Sequence, residues 1–168
     1  NGNKVQSVLN GKQKATIELV AMVNSATVNY TRLLAIGSGT TNALTFGVYS
    51  TPRFSLEFNN SEASQWSADF TNVARNVFHV VVDSTRGNAA DRVQLYVNGA
   101  MRQASGGAGP QQNATLTING NYTICLGNRD SEGRSLDGVL YYAAVYANAL
   151  SAADIATNYA VLSANDDK

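Results

Sequence analysis

The stretch from Val77 to Gly99, VFHVVVDSTRGNAADRVQLYVNG, decides the fold of this chain. It predicts an apolar strand, a polar loop, a second strand with alternating apolar residues, and a turn at Asn98-Gly99. An Asn-Gly pair between two strands favours a type I′ hairpin, because both central residues of that turn need positive φ angles. The stretch therefore predicts antiparallel β-structure.

Similar segments recur along almost the whole chain. Short runs of alternating apolar residues bounded by Gly, Asn, Ser and Pro are typical of an all-β sandwich or barrel. The predicted strands cover residues 4–9, 15–24, 30–37, 43–49, 53–59, 66–70, 76–83, 92–98, 100–104, 114–119, 122–127 and 138–147. The last of these is apolar on both faces, which predicts a central strand that is covered on both sides.

A short helix is expected after the last strand. Ser151 can cap its first turn, and Asp154 favours the positive end of the helix dipole. Ile155, Tyr159 and Leu162 then form an apolar stripe. This helix should pack on the end of the sandwich.

Two stretches together carry a family resemblance. The opening stretch and LDGVLYYAAVYANALSAADI, residues 136–155, resemble the laminin-G-like, concanavalin-A-like jelly roll. Its members commonly carry a W-x-H-V-A-like strand, an L-Y-V-N-G hairpin and a closing strand that ends in A-L-S before a helix. Here Phe78 stands near the usual Trp, and His79 stands at the recurrent histidine. The resemblance implies one antiparallel jelly-roll β-sandwich over residues 1–168, with one short C-terminal helix.

The composition limits the classes of partner. The 168 residues are 44% hydrophobic and 14% charged, with a formal net charge of zero. This balance argues against disorder and against electrostatic binding to nucleic acid or anionic membranes. The sequence contains no apolar stretch of about 18 residues, the length that a membrane-spanning helix needs. The single cysteine, Cys125, has no internal disulfide partner and is expected to be a small core residue.

The chain opens on Asn1-Gly2 without Met or a signal-type segment, so a mature product or an excised module is expected. The resemblance, together with a composition rich in Asn, Ser, Thr and Gly, favours an extracellular or surface-exposed location.

A candidate metal site follows from strand parity. If consecutive antiparallel strands alternate in direction, the loops 84–91, 105–113 and 128–137 emerge at one rim. Calcium takes six to eight oxygen ligands, and related jelly rolls often bind calcium on a loop rim. The run GNRDSEGRSLDG, residues 127–138, supplies three carboxylates. The candidate ligands are Asp130, Glu132, Asp137 and Asp91, and Asp130 is the first choice. The alternative, which the two interleaved arginines favour, is that Asp130 and Glu132 form surface ion pairs with Arg129 and Arg134, worth about 0 to 1 kcal/mol each.

Glycan recognition needs an aromatic ring and a few fixed hydrogen-bonding groups. The candidate contacts are Trp66, Tyr49, Asn128, Arg129 and Arg134. Trp66 lies in the polar run NNSEASQWSADF, which suggests partial exposure; packing in the core or at its edge is the alternative, and it is favoured because jelly-roll cores also use Trp as a cap over the sandwich. His79 has no catalytic motif beside it and is expected to be a packed residue.

The sequence also bears on catalysis. Many jelly rolls of this superfamily are glycoside hydrolases, which need two carboxylates about 5 to 5.5 Å or about 6.5 to 9.5 Å apart. On one strand such a pair would read E-x-D. None of the four glutamates, Glu18, Glu57, Glu62 and Glu132, has an acidic residue two positions later. No P-loop, dinucleotide, nucleophile-elbow or zinc motif is present.

These features favour a non-catalytic carbohydrate-binding or adhesion module of a larger extracellular or surface protein, with calcium as a candidate cofactor. Its partner would be a glycan or an extracellular protein. Two alternatives stay open. The first is a structural or protein-interaction domain that binds no sugar and can self-associate. The second is a glycoside hydrolase with a non-standard site, for which Glu132 is the candidate.

Overall fold

The computed structural model describes residues 2–26, 30–68, 74–131 and 133–164. Within these ranges ten strands and two α-helices follow one another. In chain order they are α1 (Gly2–Leu9), β1 (Lys14–Ser25), β2 (Thr31–Ser38), β3 (Thr41–Tyr49), β4 (Arg53–Phe58), β5 (Ser61–Ser67), β6 (Arg75–Asp83), β7 (Val93–Val97), β8 (Ala100–Arg102), β9 (Thr123–Leu126), β10 (Asp137–Tyr146) and α2 (Ala152–Leu162). Neither described helix is long and apolar enough to cross a membrane.

The strands form two antiparallel sheets of five. Sheet A has the order β10-β1-β6-β7-β8, and sheet B has the order β5-β4-β3-β2-β9. Side chains from both inner faces form one hydrophobic core, which includes Ile17 and Leu19 of sheet A and Phe46 and Leu56 of sheet B. This arrangement confirms the predicted jelly-roll sandwich.

Alternation along the strands determines what each sheet presents to solvent. In β4, RFSLEF, the side chains of Phe54, Leu56 and Phe58 are buried in the core. Because successive side chains of a strand point to opposite faces, the alternate residues of β4 point outward. The outer face of sheet B is therefore polar.

The hairpin at Asn98-Gly99 is confirmed, since the φ angles of these residues are 53° and 75°. The same turn chemistry occurs at Asn59-Asn60, with φ angles of 48° and 63°, and joins β4 to β5. The sequence prediction missed this hairpin and began the second strand at residue 66 instead of Ser61. Residues 69–70 of that predicted strand lie outside the described residues.

The C-terminal helix is confirmed as well. Asp154 N donates to Ser151 Oγ at 3.2 Å, and Ser151 N donates to Asp154 Oδ2 at 2.9 Å, so the cap is reciprocal. Helix α2 lies on the outer face of sheet A rather than at the end of the sandwich. Asn158 Nδ2 donates to Glu18 Oε2 of β1 at 2.6 Å.

Two predicted strands were wrong, and a third lies at a different place in its sheet than predicted. Residues 4–9 belong to α1, because Val5, Val8 and Leu9 have helical spacing and not the period of two of a strand. Residues 114–119 form no strand in the part of the chain that the structure describes. Residues 138–147 form an edge strand instead of a central one, because β10 pairs only with β1.

The predicted rim is correct for two of its three loops. Loops 84–91 and 105–113 meet, since Arg92 Nη1 at the base of the first donates to the carbonyl of Pro110 at 2.9 Å. Loop 128–137 instead leaves the opposite end of the sandwich.

Strand β1 establishes these opposite ends. Its first residue, Lys14, pairs with Asp83 beside loop 84–91, whereas its last residue, Ser25, pairs with Asp137. The parity argument failed because it counted residues 114–119 as a strand, and this inverted every later direction.

Candidate functional site

Seven polar and aromatic side chains gather on or beside the outer face of sheet B. We call them the sheet-B polar face: Tyr30, Arg32, Tyr49, Arg53, Glu57, Glu62 and Arg134. Five of them come from β2, β3, β4 and β5, while Tyr30 immediately precedes β2 and Arg134 lies in the loop between β9 and β10.

Two tyrosines form the centre of this face. The rings of Tyr30 and Tyr49 stack with a centroid distance of 4.5 Å and an interplanar angle of 11°. Arg32 Cζ lies 3.7 Å from the Tyr30 centroid, and Arg53 Cζ lies 4.1 Å from the Tyr49 centroid. Each cation–π contact contributes about 0.5 to 2 kcal/mol. Because the rings are already stacked, Tyr49 offers a ligand mainly its hydroxyl and ring edge.

A glycine in β3 lets Tyr30 lie flat on the sheet. A Cβ at Gly47 would lie 2.9 Å from Tyr30 Cε2 and closer still to the carbonyl oxygen of Thr31. The Tyr30 hydroxyl reaches the carbonyl oxygens of Thr45 and Ser55 at 3.2 and 3.3 Å. Burial raises the pKa of Tyr30 well above its usual value, so the ring stays neutral.

The two glutamates are partners in the register of β4 and β5. Glu57 Oε2 accepts from Asn42 Nδ2 at 2.8 Å and lies 3.6 Å from Arg32 Nη2. Burial raises the pKa of Glu57, and Arg32 opposes that shift.

Glu62 is held by three groups. Its Oε1 accepts from Ser55 Oγ at 2.5 Å and lies 3.7 Å from Arg53 Nη2, while Oε2 accepts from Gln65 Nε2 at 2.5 Å. The sheet therefore places two carboxylates on adjacent strands, a pairing that a search along single strands did not detect.

The arginines have spare hydrogen-bonding capacity. Nε of Arg32, Arg53 and Arg134 and also Nη1 of Arg32 are buried and bond to no described group. Arg32 is only 5% exposed, and burial lowers its pKa, with nearby Arg134 acting in the same direction. Three guanidinium groups face two carboxylates, so the face carries one surplus positive charge.

Backbone contacts hold Arg134 on both sides. Its N–H donates to Asn128 Oδ1 at 3.1 Å, and its carbonyl oxygen accepts from Arg32 N at 3.0 Å. Asn128 Oδ1 also accepts from Arg129 N at 2.9 Å. Of the predicted glycan contacts, Tyr49 and Arg134 thus lie on the polar face, whereas Asn128 shapes the loop and half-buried Arg129 lies within that loop.

The expected exposure of Trp66 is wrong. The side chain is 1% exposed and belongs to the hydrophobic core, so the core-packing alternative holds. In β5 it pairs with Phe54, whose ring also points inward. A ring in this position cannot serve as a platform for a sugar in this conformation.

Sequence reasoning missed Arg32, Arg53, Glu57 and Glu62 as site residues. A signal was present in RFSLEF, because strict alternation of polar and apolar residues predicts one outward polar face. Arg32 within a buried strand was a second signal, since arginine is seldom buried without a partner.

The carboxylates predicted to bind calcium make separate contacts with the protein. Asp130 Oδ2 accepts from Gly39 N at 2.8 Å in the turn between β2 and β3. Asp137 Oδ2 accepts from Ser25 Oγ at 2.5 Å, and this bond lowers the pKa of Asp137. Each acts as an acceptor that fixes a turn or the end of a strand.

The other two candidates are Asp91 and Glu132. Asp91 lies beside loop 84–91, at the opposite end of the sandwich from Asp137, and accepts from Asn88 Nδ2 at 3.1 Å. Glu132 lies outside the described residues. Across residues 2–26, 30–68, 74–131 and 133–164, no three His, Cys, Asp or Glu side chains could hold a metal together. Calcium binding by these loops therefore stays a prediction.

A second buried polar cluster lies between α2 and sheet A. Glu18 is 2% exposed, and its Oε2 lies 2.9 Å from Nε2 of the fully buried His79. Tyr146 Oη donates to Glu18 Oε1 at 2.8 Å, and Asn158 donates to Oε2. Burial lowers the pKa of His79. The cluster joins the helix to the sheet, which is the packing role that the sequence indicated for His79.

Solved structures share this fold. The carbohydrate-binding module CBM40 of the Ruminococcus gnavus IT-sialidase, bound to α2,3-sialyllactose, superposes with a TM-score of 0.63 at 18% identity, over 89% of this chain and 83% of that chain. A heptameric SAP-like pentraxin from Limulus polyphemus gives 0.66 at 16% identity, over 90% and 71%.

A third similar structure is much longer than this chain. The Trypanosoma rangeli sialidase in complex with 2,3-difluorosialic acid gives a TM-score of 0.65 at 13% identity, over 92% of this chain. The chain spans only 24% of that sialidase. At these identities the likeness shows the fold alone.

A search of curated proteins finds no match. The family model for laminin-G domains, described as the concanavalin A-like lectin/glucanases superfamily, matches residues 2–156. The predicted resemblance is thus confirmed, and the chain belongs to the laminin-G-like branch of the concanavalin A-like lectin/glucanase superfamily.

Proposed function

We propose that the chain is a non-catalytic carbohydrate-binding module that holds a glycan on the sheet-B polar face. One observation carries the proposal: donors and acceptors on this face are fixed by neighbours yet remain partly open. The side chains of Arg53 and Glu62 are 35% and 29% exposed while they pair with each other. Fixed charged groups of this kind bind sugar hydroxyls with little loss of side-chain entropy. The fold shared with the CBM40 module supports the proposal.

A glycan array with matched variants tests the location. Arg53→Gln removes one charge from the polar face, and Arg102→Gln makes the same change at an exposed site on β8 of sheet A. We expect Arg53→Gln to weaken binding and Arg102→Gln to bind like the unaltered chain. Equal binding by all three proteins would place the glycan elsewhere.

The non-catalytic part needs its own assay. Glu57 and Glu62 are close in register, and the raised pKa of Glu57 is what a general acid needs. However, both carboxylates are bonded to arginine or amide partners. We expect glycans that bind to be recovered intact. Hydrolysis that disappears in Glu57→Gln would establish the glycosidase alternative.

A second candidate function is self-association through sheet A. Strand β10 is a sheet edge, and the side chains of Val139 and Tyr141 on it are 41% and 44% exposed. Exposed apolar edge strands readily pair with another strand. Light scattering at micromolar to millimolar concentration tests this candidate, and a monomer mass throughout would remove it. Both candidates fit the proposed extracellular or surface-exposed location.

A further inference from the structure

We propose that the sheet-B polar face selects glycans that carry a carboxylate, and that Arg134 binds this group. The inference rests on the proposed function, because it names the ligand class of the same face.

The distribution of charge is the first argument. Arg32 lies near Glu57 and Arg53 near Glu62, at N–O distances of 3.6 and 3.7 Å. No carboxylate of a described residue lies within 4.0 Å of the Arg134 guanidinium group, so among the described residues Arg134 is the arginine of this face without an ion-pair partner. A single surplus charge on a surface favours a monoanionic ligand.

The second argument is that the backbone of Arg134 is already held in place. Asn128 Oδ1 and Arg32 N fix its backbone on both sides, and its Nε is buried without a partner. The residue is half-buried, so part of it remains open to solvent. A planar guanidinium fork matches the geometry of a carboxylate and binds it through two parallel hydrogen bonds.

The glutamates of the face narrow the ligand further. Glu57 and Glu62 repel a polyanion such as a heavily sulfated chain, while their oxygens can accept hydrogen bonds from sugar hydroxyls. A sugar that is rich in hydroxyls and carries a single carboxylate satisfies both Arg134 and the two glutamates. Terminal sialic acids and uronic acids share this chemistry.

Isothermal titration calorimetry distinguishes the two sources of the carboxylate, sialic acids and uronic acids. The probes are 3′-sialyllactose, a disaccharide that contains glucuronic acid, and lactose as the neutral reference. The proteins are the unaltered chain, Arg134→Gln, Arg134→Lys and the surface control Arg102→Gln. Thermal unfolding of each variant verifies the fold, and Arg134→Lys keeps the charge but loses the fork.

We expect at least one carboxylated probe to bind and lactose to bind much more weakly. Arg134→Gln should weaken that binding about 10- to 100-fold, Arg134→Lys less, and Arg102→Gln not at all. Equal binding of lactose and the acidic probes, or unchanged binding by folded Arg134→Gln, would overturn the inference and leave the proposed function intact. Absence of binding to any probe here and on the glycan array would overturn both.

Discussion

His79 is the one histidine of the chain, and this makes its titration separable from that of other groups. Burial lowers its pKa below the value of the unfolded chain, about 6.5. The unfolded state therefore binds more protons in the interval between the two pKa values. The contribution of neutral His79 to the free energy of unfolding is present above about pH 6.5 and is lost as the pH falls toward the folded-state pKa.

Urea unfolding between about pH 7.5 and about pH 5.5 measures this effect. We expect the unaltered chain to lose stability as the pH falls. His79→Gln keeps an amide donor toward Glu18 and should remove that part of the pH dependence. The same slope in both proteins would show that His79 is not the titrating group.

Gly47 makes a second residue-scale prediction. Gly47→Ala places a methyl group against the Tyr30 ring and the backbone of Thr31, which should destabilise the fold by about 1 to 3 kcal/mol. Gly87→Ala is the matched control, because a Cβ there meets nothing within 4 Å. Chemical denaturation should separate the two variants. Equal midpoints would mean that Tyr30 does not lie over Gly47.

At the scale of elements, the cap of α2 is the feature most open to test. Ser151→Ala removes the side-chain acceptor for Asp154 N and should cost about 1 kcal/mol. Ser163→Ala, at the other end of the helix, lacks an N-cap role and should have a smaller effect. Thermal unfolding gives both values. A loss at Ser163 as large as that at Ser151 would contradict the assigned cap.

Strict alternation and a familiar turn made the hairpin at Asn98-Gly99 predictable from sequence. The Asn59-Asn60 turn also has positive φ angles at both residues but was not recognised, and this displaced one strand. The segment before Gly11 was predicted as a strand although its three apolar residues have helical spacing. Periodicity predicts element type only where the competing period is excluded.

The residues of the candidate site were predictable only in part, because some of them become neighbours only in the folded chain. Tyr49 and Arg134 could be selected by chemistry alone. Glu57 and Glu62 become neighbours only through the register of β4 and β5, and register is a tertiary property that composition does not reveal. Loop 128–137 was placed at the wrong end because residues 114–119 were counted as a strand, and each strand reverses the direction of the chain.

At the scale of the whole molecule, the sequence prediction of calcium gives a measurable consequence. A ligand at 100 times its dissociation constant stabilises the folded state by about 2.7 kcal/mol. Structural calcium would raise the unfolding midpoint in millimolar calcium relative to chelator. Identical midpoints in the two conditions would contradict the prediction.

The central claim is that a glycan binds on the sheet-B polar face, and an NMR titration tests it most directly. The titrant is any glycan that the array identifies. We predict that chemical-shift changes concentrate on the Nε–H groups of Arg32, Arg53 and Arg134 and on the backbone of β4, while the outer face of sheet A under α2 stays unchanged. Changes confined to the loops 84–91 and 105–113, or to sheet A, would contradict the claim.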